Sequence, residues 1–245
     1  MKPSSSHPST PEPSPPDAGH RLTGRDLLAQ VVDELFRADP GLPWPLGQLL
    51  PRPGWLIRRY IEHRDGRATP PFRLALACLG VAALVLHLFG GLAEFGAGFA
   101  DGVASGGPPG GPPPAMQSAG ALVFGRFDLM LVLVWVPAVA AALRQAYPGL
   151  ALNFAEAGVF GLYTLAITLL IFTPLSMLPH SGASWLGLVV ALPLWTLGHA
   201  AFGLARPAGH GLIRAIGFAL LAQLSALLLL LGILLLATTG FALLG

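Results

Sequence analysis

The chain is short of charge, of thiols and of lysine. Only 11% of its 245 residues are charged while 53% are hydrophobic, and a soluble domain carries about 25% charged residues. A water-soluble surface of this size is excluded, and with it a soluble enzyme. The single cysteine, Cys78, sits inside an apolar run, which leaves no disulfide framework and no thiolate metal cluster. The one lysine is Lys2, so no GxxxxGK[ST] phosphate loop exists; HExxH and G-x-S-x-G are absent as well. A non-enzymatic chain without cofactor or metal is expected.

Charge is also unevenly placed. Ten of the fourteen Lys and Arg, and eight of the twelve Asp and Glu, lie at or before Arg73; the remaining 172 residues carry eight charges. The basic residues border the first long apolar run rather than striping a folded domain, so they read as a membrane-topology signal and not as a nucleic-acid surface.

Residues 1–22 form a Ser/Pro-rich tail with too little apolar surface to offset the entropy of ordering. No apolar stretch follows Lys2, so no signal peptide is expected, and the first span serves as the insertion signal. From Thr23 to Asp39, Leu27, Leu28, Val31, Val32, Leu35 and Phe36 recur at helical spacing between charged residues. They predict a cytoplasmic amphipathic helix, too charged to span. Residues 23–71 as a whole form the flank of the membrane domain. Its second half carries Arg52, Trp55, Arg58, Arg59, Tyr60, Arg64 and Arg67. Rings and guanidinium groups both suit the headgroup layer, so these are the candidate lipid- or partner-binding residues, on a short helix from Gly54 to about His63. A positively charged flank that only sets orientation is the alternative.

Five apolar segments follow in 72–245, over 72–92, 121–143, 155–178, 183–204 and 215–238. About 20 residues at 1.5 Å rise cross a hydrocarbon layer of about 30 Å. The expected fold is therefore all-α: a polytopic membrane protein of about five transmembrane helices with the cytoplasmic amphipathic helix before them. A Gly/Pro-rich loop, 93–120, joins the first two spans. With the amino terminus inside, only Arg126 falls near the outer face; this satisfies the positive-inside rule and puts the carboxyl terminus in the periplasm.

The string LLPRPGWLIRRYIEHRDGRATPPFRL, from Leu49 to Leu74, resembles DUF3667, a family of bacterial multi-pass membrane proteins of unknown function. Arg52, Pro53, Gly54, Ile57, Arg58, Tyr60, Arg64, Pro71 and Leu74 carry the match, and NFAEAGVFGLYTLAIT, from Asn153, resembles a later stretch of the family. The resemblance implies an inner-membrane architecture and no particular activity. Two departures stand out: Ala157 replaces the histidine that typically follows the acid, and the amino-terminal region lacks the paired cysteines of a zinc ribbon.

Ionisable groups within spans are expensive, so each demands a reason. Glu156, at the start of the third span, reads as a helix-capping acid that faces Arg144 across the intervening turn, or as a proton or cation carrier. Arg126 and Asp128 interrupt the start of the second span. His87 and His199 lack a second ligand at i+3 or i+4 and read as interhelical hydrogen-bonders. Pro137, Pro174 and Pro193 permit kinks. Ala183, Gly187 and Ala191, at i, i+4 and i+8, predict a close helix contact on the fourth span. Polar groups cluster near span ends, which favours a scaffold or accessory subunit, contacting lipid, a membrane-protein partner or a second copy, over a small-solute or proton-coupled permease.

Overall fold

In the computed structural model, residues 49–63, 70–88, 119, 130–178 and 182–244 are described. The expected tail, the helix over 23–39, most of the 93–120 loop, and Arg64, Arg67, Arg126 and Asp128 lie outside them. The described residues hold helices and turns and no strand. The helices are α1 (Pro53–His63), α2 (Pro71–Leu88), α3 (Val136–Ala146), α4 (Phe154–Ser176), α5 (Gly182–Ala205) and α6 (Leu212–Leu244). A π-helical turn, Leu131–Trp135, leads directly into α3. Short 3-10 turns, Pro148–Leu150 and Arg206–Ala208, precede α4 and α6.

Helices α2, α4, α5 and α6 are long and apolar enough to cross a membrane; Leu131–Ala146 is apolar but shorter. The protein is thus an all-α polytopic membrane protein. Helical ends differ from the sequence expectation most in the last span, which runs from Leu212 to Leu244 rather than over 215–238. At 1.5 Å per residue its 33 residues reach about 50 Å, well past a hydrocarbon layer of about 30 Å.

Helices α3, α4, α5 and α6 close into a ring of four, each against the next and α6 against α3; α2 packs outside on α4, and α1 lies across α5 and α4. Helix α4 is the centre, with every residue from Val159 to Leu169 buried. A helix apolar all round needs neighbours all round, and α4 has α1, α2, α3 and α5. Helix α6 is the opposite case: Leu220, Leu224, Leu227, Leu228, Leu231 and Leu235 are exposed, a surface for acyl chains rather than water.

Two glycines set the closest approaches. A Cβ built on Gly54 would stand 2.6 Å from the Ala200 carbonyl oxygen and nearer still to backbone atoms of Gly203 and Leu204. One on Gly161 would meet the Val136 carbonyl oxygen and side chain at 3.1 Å. The close contact expected at Ala183, Gly187 and Ala191 is not made where it is described. Ala191 is exposed, and α5 instead offers Ala200, Gly203 and Leu204, more than two turns further along, to α1. The difference arises because α1, not another span, fills that groove.

The prolines act locally. Pro137 has no N–H for the Leu133 carbonyl, and the wider π register immediately precedes it. Pro174 lies in the last turn of α4, and Pro193 lies inside α5.

Candidate functional site

Both turns that join spans at one end of the ring are tied to each other. Arg214, in the first turn of α6, donates from Nε to the Ala146 carbonyl at 2.8 Å, occupying one of the carbonyls left open at the end of α3. Its guanidinium lies 5.3 Å over the Tyr147 ring, and Nη1 is 3.1 Å from His210 Nδ1. Tyr147 also meets the His210 ring at 5.3 Å and Phe218 at 5.9 Å, and Phe218 meets Phe160 of α4 at 5.6 Å. Aromatic edges therefore link α3, α6 and α4 beneath the cation. The Tyr147 hydroxyl is buried and has no hydrogen-bond partner among the described residues. Burial pushes its pKa up from the usual 10.0, and the Arg214 charge opposes that shift.

The start of α4 is closed by a reciprocal cap. Glu156 N–H donates to Asn153 Oδ1 at 2.8 Å, and Asn153 N–H donates to Glu156 Oε2 at 2.9 Å. Glu156 is thus the capping acid of the sequence reading, but its expected pairing with Arg144 is not formed: Arg144 is exposed. The cap competes successfully because its donor is three residues away along the chain.

At the same end Arg58 Nη2 donates to the Leu204 carbonyl at 2.7 Å, near the C-terminus of α5. Helix ends of α3 and α5 therefore each receive an arginine, where the helix dipole favours a cation. Tyr60 is buried edge-on against Tyr163 of α4 at 5.7 Å. Arg59 lies 5.2 Å from the Trp55 ring centroid, and Trp55 itself is exposed. The predicted short helix is present as α1. Of its candidate residues, Arg52 and Trp55 face outward, whereas Tyr60 and part of Arg58 are committed to the protein interior. The Arg58–Glu62 pair, 3.7 Å apart and partly exposed, adds little.

His87 is exposed near the end of α2, and His199 stacks on Trp195 with centroids 5.4 Å apart. Among the described residues no three of His, Cys, Asp and Glu gather as a metal site would require.

A second polar group lies deeper, and the sequence reading, which put polar residues at span ends, missed it. Trp135 Nε1 donates to Gln223 Oε1 at 3.3 Å, joining the π turn to α6. Thr168 and Thr196 hydroxyls are 2.8 Å apart between α4 and α5. Thr168 also reaches the Thr164 carbonyl at 2.8 Å, and Thr196 the Pro193 carbonyl at 3.0 Å. Two hydroxyl protons serve three contacts, so one contact always goes without a proton. Counted from the end that carries the turns, these residues stand roughly 14–21 Å deep at 1.5 Å per residue, near mid-membrane. Their signal in the sequence is a lone Gln and spaced Thr within apolar runs.

All seven arginines among the described residues stand at the end that carries the turns: three on or beside α1, Arg73 in the first turn of α2, and Arg144, Arg206 and Arg214. Glu62 and Glu156 are the acids. Comparison with protein-family models, curated proteins and solved structures gives no match.

Proposed function

We propose that this chain is a non-enzymatic scaffold or accessory subunit of a bacterial inner membrane, multi-pass, held with its arginine-rich end in the cytoplasm and its carboxyl terminus outside. The observation that carries the reading is the collar. Among the described residues, seven arginines against two glutamates ring one end of the bundle, and the other end carries none. Positive charge is retained on the cytoplasmic side, where anionic lipids contribute about 1 kcal/mol per adjacent Lys or Arg. The interior supports a structural role, since Leu143, Val139, Phe160, Tyr163, Leu197 and Phe218 fill the ring by side-chain contact. Arg52, Trp55 and Arg59, together with Arg64 and Arg67 in the adjoining segment, are assigned to lipid or to a membrane-protein partner. The resemblance to DUF3667 agrees with this reading through the α1 residues that carry it.

The test is purification of the full chain in mild detergent after cross-linking in intact membranes. A stoichiometric partner, lost when 23–39 is deleted, supports the accessory role. Recovery of the chain alone, with no preference for anionic over zwitterionic lipid, overturns it.

A second reading, a small-solute or proton-coupled permease, rests on the mid-bundle layer of Trp135, Thr168, Thr196 and Gln223. Reconstituted flux that falls in Thr168→Val but not in Glu156→Gln would move the assignment to that layer.

A further inference from the structure

We propose that the His210–Arg214 pair, seated on Tyr147 where the two turns meet, binds the phosphate of an anionic lipid headgroup. The inference rests on the collar reading and gives it one defined site, away from the arginines of α1.

The donors are fixed by elimination. A guanidinium has only N–H groups to offer, so the 3.1 Å contact requires His210 Nδ1 to accept. The imidazole proton then lies on Nε2, which borders Gly149: a Cβ on that glycine would be 4.0 Å away. Of the five guanidinium N–H bonds, one goes to Ala146 and one to His210, leaving three. The ring of Tyr147 under the guanidinium and the Ala146 carbonyl hold that plane in place. Ring N–H and guanidinium edge are thus pre-oriented donors of the kind that phosphate oxygens take.

The surroundings select a lipid over a free anion. Leu212, Ile213, Ile216 and Leu220 flank Arg214 and continue into the membrane; they are 58%, 88%, 51% and 54% exposed. A cation at the head of an exposed apolar helix matches a phosphate above its acyl chains. The groups around His210 are Arg214, the Tyr147 ring and Gly149, with Arg206 four residues before it at the end of α5. No carboxylate is recorded in contact with Arg214 or His210, so the pair has no internal counter-ion among the described residues.

The experiment uses the full chain in nanodiscs of phosphatidylcholine with and without phosphatidylglycerol, at pH 8, with retained lipid counted by native mass spectrometry. Arg214→Gln should lower retained phosphatidylglycerol about fivefold, the factor expected for one cation at an anionic surface. His210→Leu, which removes the ring donor, should also lower it, while Arg206→Gln, which removes a charge near the pair, should lower it less. Should Arg214→Gln fail to fold, His210→Leu carries the test, because it leaves the Arg214 bond to Ala146 in place. Excess inorganic phosphate should not displace the lipid; displacement would reassign the site to a free anion and overturn the lipid assignment. Retention unchanged in His210→Leu, with Arg206→Gln and Arg214→Gln falling equally, would overturn the site and leave the collar. Loss of any preference for phosphatidylglycerol in the wild type would overturn the collar itself.

Discussion

Replacing Gly54 by alanine sets helix propensity against packing, and the sign of the result tells which governs α1. Propensity alone favours alanine by about 1 kcal/mol, and by less at the second residue of a helix. Packing opposes it. The new Cβ would sit 2.6 Å from the Ala200 carbonyl oxygen, whereas ordinary contact begins at 3.4 Å, and the obstacle is α5 backbone rather than a flexible side chain. Helix α1 must back away by about 1 Å or more, since the Gly203 and Leu204 backbone atoms stand nearer still. Overpacking of that kind costs about 1–3 kcal/mol. The same retreat would stretch the 2.7 Å bond from Arg58 to Leu204 past the limit of a hydrogen bond, and a charged bond contributes about 1.5–3 kcal/mol. The net expectation is a loss of about 2–5 kcal/mol. Thermal unfolding of the full chain in dodecyl maltoside, followed by tryptophan fluorescence, measures it. Gly80→Ala is the control, since a Cβ there meets nothing within 4 Å. Melting of Gly54→Ala at or above the wild type would refute the close approach of α1 to α5.

Gly161→Ala should destabilise by about 1–3 kcal/mol in the same assay, because its Cβ would press on Val136 at 3.1 Å; a neutral result would mean that α3 yields there. Asn153→Ala should cost about 1 kcal/mol through loss of the α4 cap, while Glu156→Gln, which keeps an acceptor for Asn153 N–H, should cost less; equal losses in the two variants would assign the Glu156 charge a larger role. Tyr147 gives a pH dependence. Its folded pKa is raised above the usual 10.0, so its contribution to stability is fully present below pH 10 and is lost as pH rises through the folded value. Tyr147→Phe should flatten the alkaline arm of a stability profile followed between pH 9 and 12, and an unchanged arm would show that other groups cause it.

Much of α1 and of the cap was legible from local pattern. Arg/Trp/Tyr alternation predicted a short helix ending at His63, and Asn153 with Glu156 three residues on is a capping pair that forms within one turn. Such features need only near neighbours. The amphipathic ring of Tyr60 suits the headgroup layer by sequence; its burial against Tyr163, 103 residues away, follows from how α1 crosses α4. Proximity in sequence points Arg144 at Glu156, but the interturn bond comes from Arg214, 68 residues beyond Ala146.

Composition and hydropathy alone determined that this chain is helical, membrane-embedded and cationic toward one side, because lipid tolerates only internally bonded backbone and charge asymmetry follows the chain through each crossing. The tertiary structure decided which helix is central, which small residues permit contact, and which polar side chains meet. Those outcomes depend on the angle and depth at which helices pack, and apolar runs of similar length carry almost no record of either. Hence α4, the less apolar of the two, ends as the buried centre, and the Leu-rich α6 as the exposed wall of one ring.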